Sequence, residues 1–184
     1  MDQLVFEIPE RLMSLAECER YHGAYAPGVI EFGPDEYRLD SPLAWDALVS
    51  NVGDALLVQG SVTGTMTTSC ARCLEDLSFD IDGEIEAYIL LSEDQDAPED
   101  MDEDEFDVLP EDRRLDFEPL ITAAAVLDLP LVPLCDPDCK GLCMACGTNL
   151  NLETCSCNQR VKMEGEAPAN NPFAQALAGF KVEE

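Results

Sequence analysis

Two consecutive runs of alternating residues dominate the middle of this chain. From Leu56 the even positions read Leu56, Val58, Gly60, Val62, Gly64 and Met66, while Gln59, Ser61, Thr63, Thr65 and Thr67 occupy odd ones. Period-2 alternation of this kind gives a strand one face in a core and one in water. The next run keeps the period, with Leu77, Phe79, Ile81, Ile85, Ala87, Ile89 and Leu91 set against Ser78, Asp80, Asp82, Glu84 and Glu86. Residues 55–91 therefore predict a long antiparallel hairpin joined by residues 69–76. At about 3.3 Å per residue each arm would reach roughly 45 Å, so bends are expected at Gly60, Gly64 and Gly83. The joining segment, SCARCLED, places Cys70 and Cys73 at an exposed tip.

The flanking segments supply helices and further strands. Residues 9–21 (PERLMSLAECERY) have apolar residues at Leu12, Leu15 and Ala16 between Pro9 and Gly23, the pattern of a short amphipathic helix carrying Cys18 as a packed thiol. Residues 28–39 hold two short strand-like runs around the turn pair Gly33-Pro34. Residues 116–129 read as a second helix, with Asp116 as N-cap, Pro119 in the first turn and Pro130 as its stop. Its stripe of Phe117, Leu120, Ile121, Ala124 and Leu127 is expected to pack on the hairpin's dry face. Near the end, Asn171 and Pro172 open a short helix with Phe173 and Leu177 spaced i, i+4. The expected fold is α+β: a long, bent antiparallel hairpin in a mainly antiparallel sheet, two or three helices, and a small cysteine-rich annex. The expected organisation is a core over 1–134, a cysteine-rich segment over 135–158, and a linker with the terminal helix over 159–184.

Charge narrows the function. The chain has 184 residues, with 10 Lys+Arg against 39 Asp+Glu, a formal net charge of −29. Ten acids and no base fall between Glu93 and Asp107, so residues 92–112 are expected to form a self-repelling, disordered acidic loop. Such a balance argues against broad binding to a phosphate backbone, which needs a basic surface to release counterions. No segment has the roughly 20 apolar residues of a membrane-spanning helix, and the first ten residues lack the basic and apolar regions of a secretory signal. A cytoplasmic protein is expected, and in that compartment cysteines serve as thiols or metal ligands rather than disulfides.

Nine cysteines then become the main chemical signal. Six of them follow the spacing Cys135-x3-Cys139-x3-Cys143-x2-Cys146-x8-Cys155-x-Cys157. Zinc takes four thiolates in a tetrahedron at about 2.3 Å, and Cys143-Met-Ala-Cys146-Gly147 has the form of a turn that offers two sulfurs to one ion. Eight cysteines, Cys18 excluded, suffice for one or two structural zinc ions. The local solution groups Cys143, Cys146, Cys155 and Cys157, which leaves Cys70 and Cys73 for Cys135 and Cys139. Arg72 and Lys140, inside the motifs, offset the added negative charge and are candidate partner-binding residues. A redox dithiol at Cys70 and Cys73 is the alternative, but such pairs ordinarily open a helix beside a βαβ unit. An iron–sulfur cluster is a further rival. The one histidine, His22, lies far from the cysteines in sequence and reads as a surface residue. No phosphate-binding loop, nucleophile elbow or carboxylate pair argues for an enzyme or a small-molecule substrate.

The stretches VTGTMTTSCARCLEDL, DFEPLITAAAVLDLPLVPLC, DCKGLCMACGTNLN with CSC, and NPFAQAL together resemble the bacterial DUF177 family, also called the large ribosomal RNA subunit accumulation protein YceD family. The matching positions include Cys70, Arg72, Cys73, Leu74, Pro133, Cys139, Gly141, Cys143, Cys146, Gly147, Asn149, Asn151, Cys155 and Cys157, with Asn171-Pro172-Phe173 near the end. The resemblance implies a non-enzymatic cytoplasmic factor for ribosome large-subunit biogenesis and 23S rRNA accumulation. It also implies that the site at Cys70, Cys73, Cys135 and Cys139 is the shared one, the local cluster being an annex of this branch. The implied partner is a ribosomal large-subunit precursor, met through a basic ribosomal protein or a local RNA contact.

Overall fold

The computed structural model describes residues 4–92, 94–95, 98, 101–102 and 105–157. Its elements are β1 (Val5–Glu7), a 3-10 turn (Glu10–Met13), β2 (Cys18–Tyr25), β3 (Val29–Phe32), β4 (Asp35–Leu39), β5 (Leu43–Asn51), β6 (Ala55–Ser69), β7 (Asp76–Leu90), β8 (Phe106–Val108), β9 (Arg114–Asp116) and α1 (Glu118–Leu127). The chain divides into two compact units, one of Met1–Ala71 with Glu75–Cys135, the other of Arg72–Leu74 with Asp136–Glu184.

In the first unit the expected hairpin forms. β6 and β7 pair antiparallel without interruption from Ala55↔Leu90 to Ser69↔Asp76. The other edge of β6 is shared: β5 lies along Leu56–Thr63, and β4 pairs at Met66 and Thr67. β2 continues the sheet beyond β5 and β3 beyond β4, both antiparallel. β8 runs parallel to β7 at Tyr88–Leu90, and β1 with β9 makes a separate two-stranded ribbon. The strand-like runs expected within 28–39 are β3 and β4. In β5 the odd residues from Leu43 to Asn51 are all buried, a period-2 signal as clear as that of the hairpin.

Alternation decides the core. Leu56, Val58, Val62, Met66, Ile81, Ile85 and Ile89 are buried on one face of the hairpin, while Gln59, Asp82, Glu84 and Glu86 face water. Trp45 stacks on Phe117 with ring centroids 5.0 Å apart, and Phe6 meets Phe117 edge-on at 5.6 Å. α1 closes this face. Asp116 Oδ1 accepts the amide of Glu118 at 2.9 Å, but the N-cap is Phe117, so the expected capping residue stands one position before the cap and two before the helix begins. The helix lies close to β7 because Gly83 has no side chain. A Cβ there would overlap the carbonyl oxygen of Ala124 and stand 2.8 Å from its carbonyl carbon.

Several expectations are overturned. The helix over 9–21 is a four-residue 3-10 turn followed by β2, so the described residues contain one α-helix rather than two or three. Leu15 is 71% exposed and Ala16 has φ +65°, which removes the apolar stripe and ends the helical path. Eight residues of β2 gain a full register with β5, and tertiary pairing outweighs the local pattern. Cys18 is exposed on that strand, not packed, and His22 is also exposed on it. Within 92–112 the end of the acidic segment is ordered, since Phe106–Val108 is β8. Leu127 is 84% exposed and does not join the core, whereas Ala125 does, because the small residues set the helix's contact face. The linker and helix expected over 159–184 lie outside the described residues.

Candidate metal centres

The two Cys-x-x-Cys segments, distant in sequence, build the same local turn. In the first, the Cys70 amide donates to the Glu75 carbonyl at 2.8 Å, and the flanking residues Ser69 and Asp76 are paired. In the second, the Cys143 amide donates to the Thr148 carbonyl at 2.8 Å, and Leu142 bridges Asn149. The spacing from the first cysteine is identical in both. The residue after each second cysteine has left-handed backbone, φ +62° at Leu74 and +73° at Gly147. That conformation costs a residue with a Cβ about 1–2 kcal/mol, so glycine at 147 was the legible signal and leucine at 74 concealed its twin.

Among the described residues of the second unit, backbone and side-chain amide bonds hold the segments together. The Gly147 amide donates to the Cys143 carbonyl at 2.8 Å, and the Leu150 amide to the Gly141 carbonyl at 2.9 Å. Asn151 ties two segments together. Its Oδ1 accepts the Lys140 amide at 2.8 Å, and its Nδ2 donates to Cys139 Sγ at 3.2 Å. Arg72 Nη1 donates to the carbonyls of Cys139 at 2.9 Å and Pro137 at 3.3 Å, while its own carbonyl accepts the Leu142 amide at 3.0 Å. Arg72 is thus a positioning residue for the segment that carries Cys139. Asn151 has the same role, and its place among the positions that match the family pattern was the signal for it.

The eight thiols fall into two groups, Cys70, Cys73, Cys135 and Cys139, and Cys143, Cys146, Cys155 and Cys157; in each, the four sulfurs all lie within 4.8 Å of one another. Four ligands about 2.3 Å from a tetrahedral ion stand roughly 3.8 Å apart. Each group is therefore compact enough that it could hold a metal ion, and its soft thiolate donors match the chemistry of such a site. The groups differ in exposure. Cys70, Cys73 and Cys139 are buried and Cys135 exposed, which corrects the expectation of an exposed tip for the first pair. In the second group Cys143 is buried, Cys155 and Cys157 are half-buried, and Cys146 is exposed.

Proton affinities in the second group are uneven. Hydrogen bonding from the Thr148 side chain and backbone, then from Cys143 and Cys157, lowers the Cys146 thiol to about 6. The Cys157 thiol is pushed up to about 12, first by its hydrogen bond to Cys146, then by burial and neighbouring thiolate charge. Clustered thiols cannot all ionise without a cation among them. A divalent ion supplies that charge and displaces the protons.

A mainly antiparallel sheet with, among the described residues, one packed helix, together with two groups of four thiols able to hold metal, defines the class of protein. The family model described as large ribosomal RNA subunit accumulation protein YceD matches residues 58–181, and the chain belongs to that family. An uncharacterized protein of Mycobacterium leprae is 32% identical over 127 residues, 68% of this chain and 54% of that protein. One from Mycobacterium tuberculosis is 36% identical over 111 residues, 59% of this chain and 51% of the relative. The chain spans about half the length of these curated relatives. An Arabidopsis thaliana protein named large ribosomal RNA subunit accumulation protein YCED homolog 1, chloroplastic, is 35% identical over 69 residues, 38% of this chain and 22% of the plant protein. No solved structure matches. No helix among the described residues is long and apolar enough to cross a membrane.

Proposed function

We propose that this protein is a non-enzymatic cytoplasmic factor that supports accumulation of large-subunit (23S) ribosomal RNA and carries two structural zinc ions. Membership of the YceD family over residues 58–181 is the observation that carries the role. The zinc assignment rests on two tetrahedral-sized groups of thiols, since four-sulfur sites belong to zinc or to iron–sulfur centres and the paired turns are of the zinc-binding kind. Cys70, Cys73, Cys135 and Cys139 hold one ion, and Cys143, Cys146, Cys155 and Cys157 the other. Burial of Cys70 and Cys73 weighs against a dithiol redox role, which needs an accessible thiolate. The ribosomal precursor is met through protein or a local RNA contact near Arg72 and Lys140, because a charge of −29 opposes extended RNA binding.

Depletion of the protein in its own cells should lower the ratio of large- to small-subunit ribosomal RNA, and the wild-type chain should restore it. An unchanged ratio would overturn the role. Native mass spectrometry should find two zinc ions per chain and one in Cys143→Ser/Cys146→Ser. A metal-free wild type would remove zinc from the proposal and leave the ribosomal role to be judged by the first assay.

A further inference from the structure

β7 is paired along its whole length on one edge only, the edge it shares with β6. β8 covers its other edge at Tyr88–Leu90, and from Asp76 to Ala87 that edge has no strand partner among the described residues. Its outward groups can be identified. The Asp82 amide donates away from β6 to Asp128 Oδ2 at 2.8 Å, and the Leu90 carbonyl accepts the Leu109 amide at 2.8 Å. In an antiparallel pair the backbone groups of alternate residues point the same way. Glu84 and Glu86 therefore direct their N–H and C=O groups outward.

A groove of about 700 Å³ runs along this edge. It touches both faces of β7: Glu84, Glu86 and Tyr88 line it from one side, and Leu120, Ala123 and Leu127 of α1 from the other. Glu105 also lines it, and among the described residues no lysine, arginine or histidine does. The unexpected exposure of Leu127 falls here, beside an open edge that can accept a further strand.

We propose that this groove docks an extended, basic segment of a partner protein, which pairs with β7 at Glu84–Ala87 as an added strand. Basic side chains meet Glu84, Glu86 and Glu105, and an apolar side chain covers Leu120 and Leu127. Charge selects this occupant. A second copy of the chain would bring like charges together, and nucleic acid would bring phosphates to three carboxylates. The inference rests on the reading of the protein as a binding factor and gives that factor a surface and a class of partner.

The test uses the full-length protein and a fluorescein-labelled peptide of alternating arginine and valine, followed by fluorescence anisotropy. Binding should weaken at least about tenfold in Glu84→Lys/Glu86→Lys, where attraction becomes repulsion. It should weaken similarly when alternate peptide nitrogens are methylated, which removes strand pairing but keeps the charge. Glu31→Lys/Glu36→Lys, an equal reversal at exposed positions on β3 and β4, should have less than a twofold effect. Thermal midpoints of both variants should match the wild type, since all four positions are exposed. No binding at about 1 mM peptide, equal loss in the two charge reversals, or full binding of the methylated peptide would each overturn the proposal. Direct binding of a labelled RNA oligonucleotide, with no peptide present, at an affinity equal to the peptide's would also overturn it. The two readings fail separately: unchanged ribosomal RNA on depletion overturns the role and leaves the groove standing, while unaltered peptide binding in Glu84→Lys/Glu86→Lys does the reverse.

Discussion

Gly141 and Gly147 share left-handed backbone, with φ +71° and +73°, but not surroundings. A Cβ on Gly147 would meet nothing within 4 Å, whereas one on Gly141 would lie 2.9 Å from the Arg72 carbonyl oxygen and 3.3 Å from the Arg72 Cβ. Alanine at 147 should therefore cost only the left-handed conformation, about 1–2 kcal/mol, as Leu74 does at φ +62° in the matching turn. Alanine at 141 adds a steric cost. The Arg72 carbonyl is held by the Leu142 amide at 3.0 Å and cannot turn aside without losing that bond. Overpacking of this kind costs about 1–3 kcal/mol, for a sum of about 2–5 kcal/mol. Because folding of a thiol-rich unit is linked to metal binding, chelator competition on the zinc-loaded protein reads both. At 1.4 kcal/mol per decade, Gly147→Ala should weaken zinc retention about 5- to 30-fold and Gly141→Ala at least about 30-fold. Equal weakening in the two variants would refute the reasoning, because it would mean the Arg72 carbonyl does not limit the site.

Gly83→Ala should lower stability in urea by about 1–3 kcal/mol, and trimming Val62 to alanine should not rescue it, because the main obstruction is the Ala124 backbone. Rescue by Val62→Ala would place the obstruction at that side chain, whose Cγ1 stands 3.1 Å from the added Cβ. Asn51→Ala should cost about 1–3 kcal/mol, since the buried amide donates to the Leu12 carbonyl at 2.9 Å and accepts the Gly53 amide at 2.8 Å; a neutral result would mean water replaces both bonds. Burial, with the charge of Glu19 second, raises the Tyr21 phenol to about 12. A raised folded pKa means the folded state holds its proton longer, so this contribution is complete below pH 10 and is lost as pH rises toward 12. Ultraviolet titration should show a late-ionising tyrosine, and ionisation of all four tyrosines near pH 10 would refute it.

The hairpin was legible because its alternation is long. Fifteen residues of β6 and fifteen of β7 repeat one period, and a register shift of one residue would turn every buried valine and isoleucine to water. β2 was not legible in the same way. Leu12, Leu15 and Ala16 mimic a helical stripe, and only the partnership with β5 turns Cys18–Tyr25 into a strand. The close approach of α1 to β7 brings together Gly83 and Ala124, which lie far apart in the chain, and no local pattern records it.

At the thiols the division is similar. The cysteine count and the spacing of the local motif determined by themselves that metal chemistry was available, because few other uses bring six cysteines into 23 residues of a chain expected in a reducing compartment. Tertiary structure decided which sulfurs meet, and it decided that Leu74 completes a turn matching the one Gly147 completes. It also decided that Arg72 serves the backbone of Pro137 and Cys139. Local periodicity reports which face of a strand is dry. Contacts between distant segments depend on how the sheet brings its loops and edges together, and that becomes defined only when the chain has folded.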